Sequence, residues 1–514
     1  MRLTVERIAE LCGGEILYGD GDALVTSAAI DSRKLAPGGM FIALKGAVDD
    51  GHNYVNRAIK EGAALIVVSQ RAAAEHVIGL AQRKGCAAIL VDDTLEALHE
   101  LAHEWVAILD ATVIGITGST GKTSTKEMMA CVLGQRFKVA YTDGNQNNEI
   151  GVPLTVLGAE EGDEILIVEM GMRGPGQIAQ LCDIVSPSIG VITSVGPSHI
   201  ELLGSIEAII DAKAELFHAL PADGLAVFEA DKPYSEKFAE CAVARTMTVG
   251  VDSDDAKIMA TKVSLDASGC PSAHIMSLKD EFDVALNVAG LHQLTNALLV
   301  IAVAQELGLP SVMIERGLKA ARLTGMRFKI EINHNTEVIV INDAYNANPN
   351  SMEQAVWTLS AMEVFGRRVC VLGDMLELGD IAADEHYKIG AVCAKAGIEA
   401  LFAYGDFAAD MVRGAQEAGL ETAKAYDWIE LDILVEEAKA FLRAGDCVLV
   451  KASRAMELER VAYALLDRDV SPPEPAEGAA DTADTPLSYQ ETEPLPAVAS
   501  GTTGEIGTGG DDAR

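Results

Sequence analysis

The sequence predicts an α/β protein with three domains and a disordered acidic tail. First, its 514 residues exceed what a single hydrophobic core accommodates. Second, short apolar runs alternate with helical stretches, which is typical of parallel sheets that helices cover on both faces. Third, the composition changes near residue 469, where Pro, Gly, Thr and acidic residues replace branched apolar ones. We place the domains at 1–108, 109–322 and 323–468, and the tail at 469–514.

Each predicted domain contains apolar runs with the character of buried strands. The first domain has runs at 40–44, 64–69 and 87–91. The predicted strands of the second and third domains lie at 113–117, 164–169, 189–195, 224–228, 338–341, 368–372, 400–404 and 447–451. The tail has too few apolar residues to offset the entropy of ordering, so it is either a docking segment or a solvated appendage.

The composition excludes several classes of function. The chain carries 40 Lys+Arg against 77 Asp+Glu, for a net charge of −37, and such a field repels nucleic acid. Nine cysteines are scattered without a Cys-x-x-Cys pair, which is typical of reduced thiols in a cytosol. The N-terminal segment does not resemble a signal peptide, and no apolar run is long enough to span a membrane. We therefore expect a cytoplasmic monomer that binds neither nucleic acid nor membranes.

The strongest motif is VIGITGSTGKTSTKEMM at 113–129, in the order strand, glycine loop, helix. Gly118 and Gly121 allow backbone amides to turn towards phosphates, and the start of the helix adds its positive dipole. Lys122 suits the β- and γ-phosphates, and the Thr123 hydroxyl suits Mg²⁺. The first glycine of the usual phosphate-loop pattern is shifted by one residue. The motif predicts a nucleoside triphosphate site, and the alternative is an ordinary glycine turn.

Three further polar side chains occupy positions that favour chemistry over structure. Glu169 ends a predicted strand, where the ligand side of an open α/β sheet lies. His199 follows the next strand, although a lone histidine is more often structural. Lys213 falls in the middle of the apolar face of a predicted helix at 205–220. Its amine is either chemically modified or metal-associated, or its long stem carries it out to solvent.

Other polar clusters follow predicted strands or turns. Four consecutive side-chain amides, at 145–148, exceed what a turn needs. The remaining clusters are Asp31-Ser32-Arg33, NDAYNANPNSM at 342–352, LGDMLELG at 372–379, and VKASRAMELE at 450–459.

Together these motifs resemble the Mur ligase family, the ATP-dependent amide ligases of peptidoglycan assembly. The resemblance covers residues 1 to about 468, and the family shares the shifted glycine of the phosphate loop. DAYNANPNSM and LGDMLELG are similar to the branch that adds D-alanyl-D-alanine to UDP-N-acetylmuramoyl-tripeptide, the last cytoplasmic step of precursor synthesis. The Asp-Asn-Pro-Arg motif of the diaminopimelate-adding branch is absent from the sequence. DSRKLAPGGMFIALKG resembles the family's UDP-binding segment, which folylpolyglutamate synthases lack.

The resemblance implies a UDP-binding first domain, an ATP-binding central domain with a phosphate loop, and a Rossmann-like C-terminal ligase domain. It implies Lys122, Glu169, His199 and Lys213 as catalytic residues, with Lys213 carbamylated. Two Mg²⁺ ions would be held by Thr123, Glu169, His199 and Lys213. The implied nucleotide-binding residues are Gly118, Ser119, Thr120, Gly121, Lys122, Thr123, Ser124, Asn296, Arg327 and Asp343. The implied substrate-binding residues are Ser32, Arg33, Asn147, Asn148, Lys451, Ser453 and Arg454.

Three positions depart from the family pattern. Gln293 replaces the Asn of a His-Asn pair, Ala452 replaces the Gly of Val-Lys-Gly-Ser-Arg, and Glu229 replaces an Asn. Two other functions stay open at this point. A nucleotide switch hydrolyses ATP without an acceptor, and a kinase-like transferase releases a stable phosphorylated product.

Overall fold

The computed structural model describes residues 1–198, 200–323 and 325–468. His199 and the predicted tail lie outside these ranges. The described chain forms three α/β units, each built on its own sheet, as the sequence predicts.

The first unit is a five-stranded sheet with a small two-stranded sheet beside it. The five strands lie in the order β2-β7-β6-β5-β4, parallel except for β2, and β1 pairs with β3. Its elements are β1 Leu3–Thr4, α1 Val5–Leu11, β2 Glu15–Tyr18, β3 Leu24–Val25, β4 Ala28–Ala29, β5 Met40–Ile42, α2 Val55–Glu61, β6 Leu65–Val68, α3 Arg71–Lys84, β7 Ala87–Leu90 and α4 Thr94–Leu109.

The central unit has a nine-stranded sheet in the order β16-β15-β14-β13-β12-β11-β8-β10-β9. Its strands are β8 Thr112–Thr117, β9 Val139–Tyr141, β10 Ile165–Glu169, β11 Ile189–Ile192, β12 Leu225–Glu229, β13 Arg245–Val251, β14 Ile258–Leu265, β15 Pro271–Met276 and β16 Glu281–Ala285. Its helices are α5 Lys122–Leu133, α6 Gly151–Gly158, α7 Gln177–Val185, α8 Ile200–Leu203, α9 Ile206–His218, α10 Ser235–Cys241, α11 His292–Glu306 and α12 Ser311–Ala320.

The central sheet is parallel from β9 to β14. Strand β15 is antiparallel to β14, and β16 is antiparallel to β15. The continuous apolar runs of the sequence predict a parallel sheet, and the strands from β9 to β14 confirm it. Strands β15 and β16 are partly exposed, and buried residues alternate with more exposed ones along β15, so they lack the continuous apolar runs on which this prediction rests. Strand β8 lies between β10 and β11, where the chain order reverses, and ligands bind beyond the strand ends at such a point.

The C-terminal unit has a six-stranded sheet in the order β17-β18-β22-β19-β20-β21, with β17 antiparallel and the rest parallel. Its strands are β17 Lys329–Asn333, β18 Val338–Asn342, β19 Arg368–Gly373, β20 Ala400–Tyr404, β21 Ala423–Tyr426 and β22 Cys447–Lys451. Its helices are α13 Pro349–Ala361, α14 Ala382–Lys395, α15 Ala408–Glu417, α16 Leu431–Phe441 and α17 Glu459–Leu465.

The first and central units share one continuous apolar core, formed by α4 together with α6, α7 and α9. Trp105 on α4 is fully buried there, and its indole N–H donates to the Ala159 carbonyl at 3.1 Å. This packing fixes the first unit against the C-terminal end of α6, where Ala159 follows the helix. Within the described residues, no helix has both the length and the apolar character that crossing a membrane requires.

Candidate active site

The glycine loop lies between the end of β8 and the start of α5, at the centre of the sheet edge. Gly118 has φ +152°, and a Cβ there would lie 2.0 Å from Thr193 Oγ1, so only glycine fits. The Thr120 amide donates to Ser194 Oγ at 3.0 Å and the Ser119 amide to the Ser194 carbonyl at 2.9 Å. Lys122 Nζ donates to the Gly118 carbonyl at 2.7 Å. Hydrogen bonds to the segment that follows β11 therefore hold the loop in place, and the Lys122 ammonium lies against the loop's own backbone.

Glu169 is the centre of a buried polar cluster beside this loop. The side chain is 2% exposed and receives hydrogen bonds from Thr123 Oγ1 at 2.8 Å and from Asn147 Nδ2 at 2.9 Å. Lys126 Nζ lies 3.7 Å from its Oε2 atom. The structure therefore brings together three predicted residues, Thr123, Asn147 and Glu169.

Lys126 is a site residue that the sequence analysis missed. It lies one helical turn after Lys122 and is 1% exposed. The reasoning that singled out Lys213, a charge on a buried helix face, applies equally to this position. Lys126 is four residues after Lys122 and three residues after Thr123, so all three lie on the same face of the helix. This helical spacing is the signal that would have identified Lys126.

Lys213 is buried within α9, as its place on the apolar face predicts. It is 2% exposed, which makes the alternative of a stem that reaches solvent wrong. Burial, with a smaller effect from the Lys122 charge, lowers the pKa of Lys213 well below its ordinary value. Burial likewise lowers the pKa of Lys122, against the opposing effect of Glu169. The Lys122 charge therefore acts on the Lys213 amine.

The C-terminal unit contributes Arg327 to the phosphate loop. Its guanidinium donates to Thr123 Oγ1 at 3.0 Å and lies 4.1 Å from the centre of the Tyr345 ring. Thr123 therefore links Glu169 of the central unit to a cation from the next unit.

Asn296 packs against the loop from α11. Its amide donates to Gln293 Oε1 at 3.0 Å, and its Oδ1 lies 2.6 Å from where a Cβ on Gly121 would be. Gln293, which departs from the family pattern, therefore orients Asn296 against the loop. The buried Ala452 packs against Gly373, and Glu229 pairs with Lys232 at 3.0 Å.

Four predicted residues of the C-terminal unit lie near the end of β22. Lys451 Nζ forms an ion pair with Asp343 Oδ2 at 2.7 Å and donates to the Asn346 carbonyl at 2.8 Å. Ser453 Oγ accepts from the Leu376 amide at 2.9 Å, and Arg454 pairs with Glu459. Ser453 therefore has a structural hydrogen bond as well as a place at the site.

The remaining predicted residues are engaged locally. Arg33 forms a two-pronged contact with Asp31 at 2.9 and 3.1 Å, and Ser32 is buried beside it. Asn148 Oδ1 accepts from the Gly151 amide at 2.8 Å, at the start of α6. Asn147 rather than Asn148 thus reaches the Glu169 cluster.

One cleft of about 2690 Å³ connects these groups across all three units. It runs from Arg33 in the first unit, past the phosphate loop, to Lys451 and Arg454 in the third. The described residues that line it include nine Lys or Arg and eight Asp or Glu, so it is near neutral in a chain of net charge −37. The cleft thus supplies the local positive groups that anionic ligands need.

In the Glu169 cluster, the atoms that could bind a metal ion are the hydroxyl oxygen of Thr123 and the carboxylate oxygens of Glu169. Hard cations such as Mg²⁺ prefer oxygen ligands, so this pair fits that ion. His199, a predicted ligand, lies outside the described residues. Within the ranges described, no three His, Cys, Asp or Glu side chains are grouped as metal ligands.

Comparison with known proteins agrees with this arrangement. Three family models match in chain order: the Mur ligase catalytic domain at 25–106, the Mur ligase middle domain at 116–304, and the Mur ligase glutamate ligase domain at 326–454. A Bacillus subtilis protein named UDP-N-acetylmuramoyl-tripeptide–D-alanyl-D-alanine ligase is 35% identical over 472 residues, covering 92% of this chain and 100% of its own. The chain belongs to the Mur ligase family. As a member of the Mur ligases it is an ATP-dependent ligase.

Other Mur ligases extend the likeness. The Escherichia coli K12 protein of the same name is 32% identical and covers 90% of this chain and 98% of its own. The crystal structure of MurF from Acinetobacter baumannii superposes with a TM-score of 0.81 at 27% identity, over 91% of this chain and 99% of that one. MurF from Thermotoga maritima in complex with ADP has a TM-score of 0.72 at 26% identity, over 86% and 97%.

Proposed function

We propose that this ligase joins D-alanyl-D-alanine to the terminal carboxylate of UDP-N-acetylmuramoyl-tripeptide at the expense of ATP. The main support for this proposal is the cleft that connects the phosphate loop, the Arg33 segment and the strand-end loops of the C-terminal unit. A ligase of this kind brings three anionic or zwitterionic substrates together, and each unit lines one part of the cleft. The names of the relatives that match over nine-tenths of the chain support the same substrates.

The reaction proceeds through an acyl phosphate. A carboxylate oxygen of the tripeptide attacks the γ-phosphorus of ATP and ADP leaves. The free amine of the dipeptide then attacks the acyl carbon, loses a proton, and inorganic phosphate leaves with the amide formed. Lys122 and the backbone amides from Gly121 to Ser124, at the start of α5, balance the charge on the transferred group, while Ser194 holds the Ser119 and Thr120 amides.

Other residues bind and orient the substrates. We assign Ser32 and Arg33 to the UDP moiety, Asn147 and Asn148 to the peptide side, and Asn296, Arg327 and Asp343 to the nucleotide. Lys451, Ser453 and Arg454 line the C-terminal side of the cleft. Because Arg327 reaches Thr123 from another unit, closure of the units completes the phosphate site and excludes water from the acyl phosphate.

Thr123 and Glu169, with His199 and Lys213, would hold Mg²⁺, which supplies Lewis-acid stabilisation of phosphate charge when bound. We propose that Lys213 carries a carbamate in the active enzyme. The buried amine adds to CO₂ and releases a proton, which replaces an amine with an anion that the Lys122 charge stabilises. Burial without an ion pair to any described residue supports this assignment.

Phosphate release tests the proposed reaction. The purified enzyme is given ATP and UDP-N-acetylmuramoyl-tripeptide, with and without D-alanyl-D-alanine, and the product is identified by mass. We expect phosphate release to depend on the dipeptide and the amide product to form in equal amount. Release without the dipeptide would indicate a nucleotide switch, and a stable phosphorylated product would indicate a kinase. Oxygen-18 placed in the tripeptide carboxylate is expected in the released phosphate.

We also propose that the enzyme works as a cytoplasmic monomer. The nine cysteines are all free thiols, which fits a reducing compartment. Sedimentation at two protein concentrations, with and without ADP, measures the oligomeric state.

A further inference from the structure

Lys126 is a buried cation to which the reaction outlined above gives no part. It follows Lys122 by one turn of α5, and its side chain is 1% exposed. A buried ammonium loses its hydration, and a methionine would fill a similar volume without that cost. Its contacts therefore need an explanation beyond packing.

The ammonium touches two separate parts of the site. It donates to the Gly144 carbonyl at 2.9 Å and lies 3.7 Å from Glu169 Oε2. Among the described side chains, it is the one cation within ion-pair distance of the Glu169 carboxylate. It therefore offsets the charge of a carboxylate that is itself 2% exposed.

Gly144 begins the amide-rich loop that leads to Asn147. Asn147 returns to the other oxygen of the same carboxylate, at 2.9 Å from Glu169 Oε1. Lys126, Gly144, Asn147 and Glu169 thus form a closed ring of contacts. The ring joins the helix of the phosphate loop to the loop on the peptide side of the cleft.

We propose that Lys126 is a positioning residue that assembles the nucleotide half and the peptide half of the site as one unit. Its charge offsets that of Glu169, and its hydrogen bond ties the 144–148 loop to α5. The assignment of that loop to the peptide side rests on the proposed function. The effect on the nucleotide half does not.

The charge effect has a specific signature. Without a divalent cation, Glu169 presents a negative charge close to the place where nucleotide phosphates bind, and Lys126 is the nearest group that offsets it. When Mg²⁺ is present, the ion itself neutralises part of that charge. Loss of the Lys126 charge should therefore weaken nucleotide binding more in the absence of Mg²⁺ than in its presence.

Three variants separate charge from hydrogen bonding. K126Q keeps a donor for the Gly144 carbonyl and removes the charge, K126R keeps the charge, and K126M removes both. T125V is the matched control, because the Thr125 hydroxyl is buried on the same helix and makes no hydrogen bond within the described structure. ADP affinity is measured by calorimetry in EDTA and again in Mg²⁺, with circular dichroism to check folding.

We expect K126Q to bind ADP about tenfold more weakly than wild type in EDTA and within about twofold in Mg²⁺. K126R and T125V should stay within about twofold in both conditions. Equal affinity of K126Q and wild type in EDTA would overturn the proposal, and so would a loss of equal size with and without Mg²⁺, which indicates general distortion. If K126M does not fold, K126Q against K126R decides the question.

Hydrogen–deuterium exchange tests the tether to the loop. We expect amides in the 143–149 segment to exchange faster in K126M than in T125V or wild type. Unchanged exchange in a folded K126M would refute the tether. The calorimetry and the exchange experiment use no peptide substrate. Their results therefore test the role of Lys126 even if the phosphate-release assay contradicts the proposed reaction.

Discussion

Replacing Gly118 with alanine places a methyl group in space that Thr193 already fills. The added Cβ would lie 2.0 Å from Thr193 Oγ1 and 3.1 Å from the Ser194 backbone nitrogen, at a φ of +152°. Strands β8 and β11 are paired next to this point, with Thr117 opposite Ile192. Because the strands are held by their ladder, the phosphate loop has to move instead.

The cost follows from two effects. A left-handed backbone position costs a residue with a Cβ about 1–2 kcal/mol, and overpacking of a tight contact costs about 1–3 kcal/mol. The sum of about 2–5 kcal/mol corresponds to an ADP affinity lower by about 30-fold or more, since each 1.4 kcal/mol is tenfold. Calorimetric titration with ADP measures the loss, and thermal unfolding shows whether the fold survives.

A second substitution tests the cause. T193A removes the hydroxyl that lies nearest the new methyl group, although it also removes hydrogen bonds to the Thr117 and Thr120 carbonyls. We expect the double variant G118A/T193A to bind ADP more tightly than G118A alone, with a coupling of at least about 1 kcal/mol. A double variant that binds no better than G118A would refute the steric argument. G158A is the control, because a Cβ there meets no atom within 4 Å.

Three further predictions concern single groups. We expect K122A to lower turnover by at least about 1,000-fold, because phosphate charge is no longer balanced, and steady-state kinetics with near wild-type kcat would contradict the assignment. K213A should lose most activity and regain part of it with added formate or acetate, whereas full activity without carboxylate would exclude a carbamate role. Burial alone would raise the pKa of Asp446, but hydrogen bonds from the Arg367 side chain and from the Arg367 and Arg443 amides outweigh it and lower the pKa. The resulting stability is present above the ordinary Asp pKa of 3.8 and is lost as pH falls through the lower folded value. Unfolding measured against pH should therefore show an acid-side decline that D446N lacks, and an unchanged decline would show that another group controls it.

Much of the sheet architecture was predictable because parallel strands are recognisable by continuous burial. The expected strand at 400–404 coincides with β20, and the one at 447–451 coincides with β22. The expected strand at 189–195 is three residues too long, because the chain leaves β11 after Ile192 to brace the phosphate loop through Thr193 and Ser194. Apolar character alone does not mark that exit. The first domain boundary, predicted at 108/109, falls in the last turn of α4.

The site was predictable where one local pattern carried the information. The glycine loop and the misplaced charge of Lys213 needed only neighbouring residues. The contact from Arg327 to Thr123 joins positions 204 residues apart, and no local pattern specifies it. The hydrogen bond that Asn296 donates to Gln293 is different again. The sequence marks Gln293 as a departure, but only the packing of α11 against Gly121 shows what its amide does.

The guanidinium of Arg327, pinned between the Tyr345 ring and the Thr123 hydroxyl, offers a point of attack for inhibitors. A flat cationic compound that displaced Arg327 from the Tyr345 ring would separate the C-terminal unit from the central unit. Such a compound would leave the phosphate loop of the central unit intact and would prevent the C-terminal unit from reaching it.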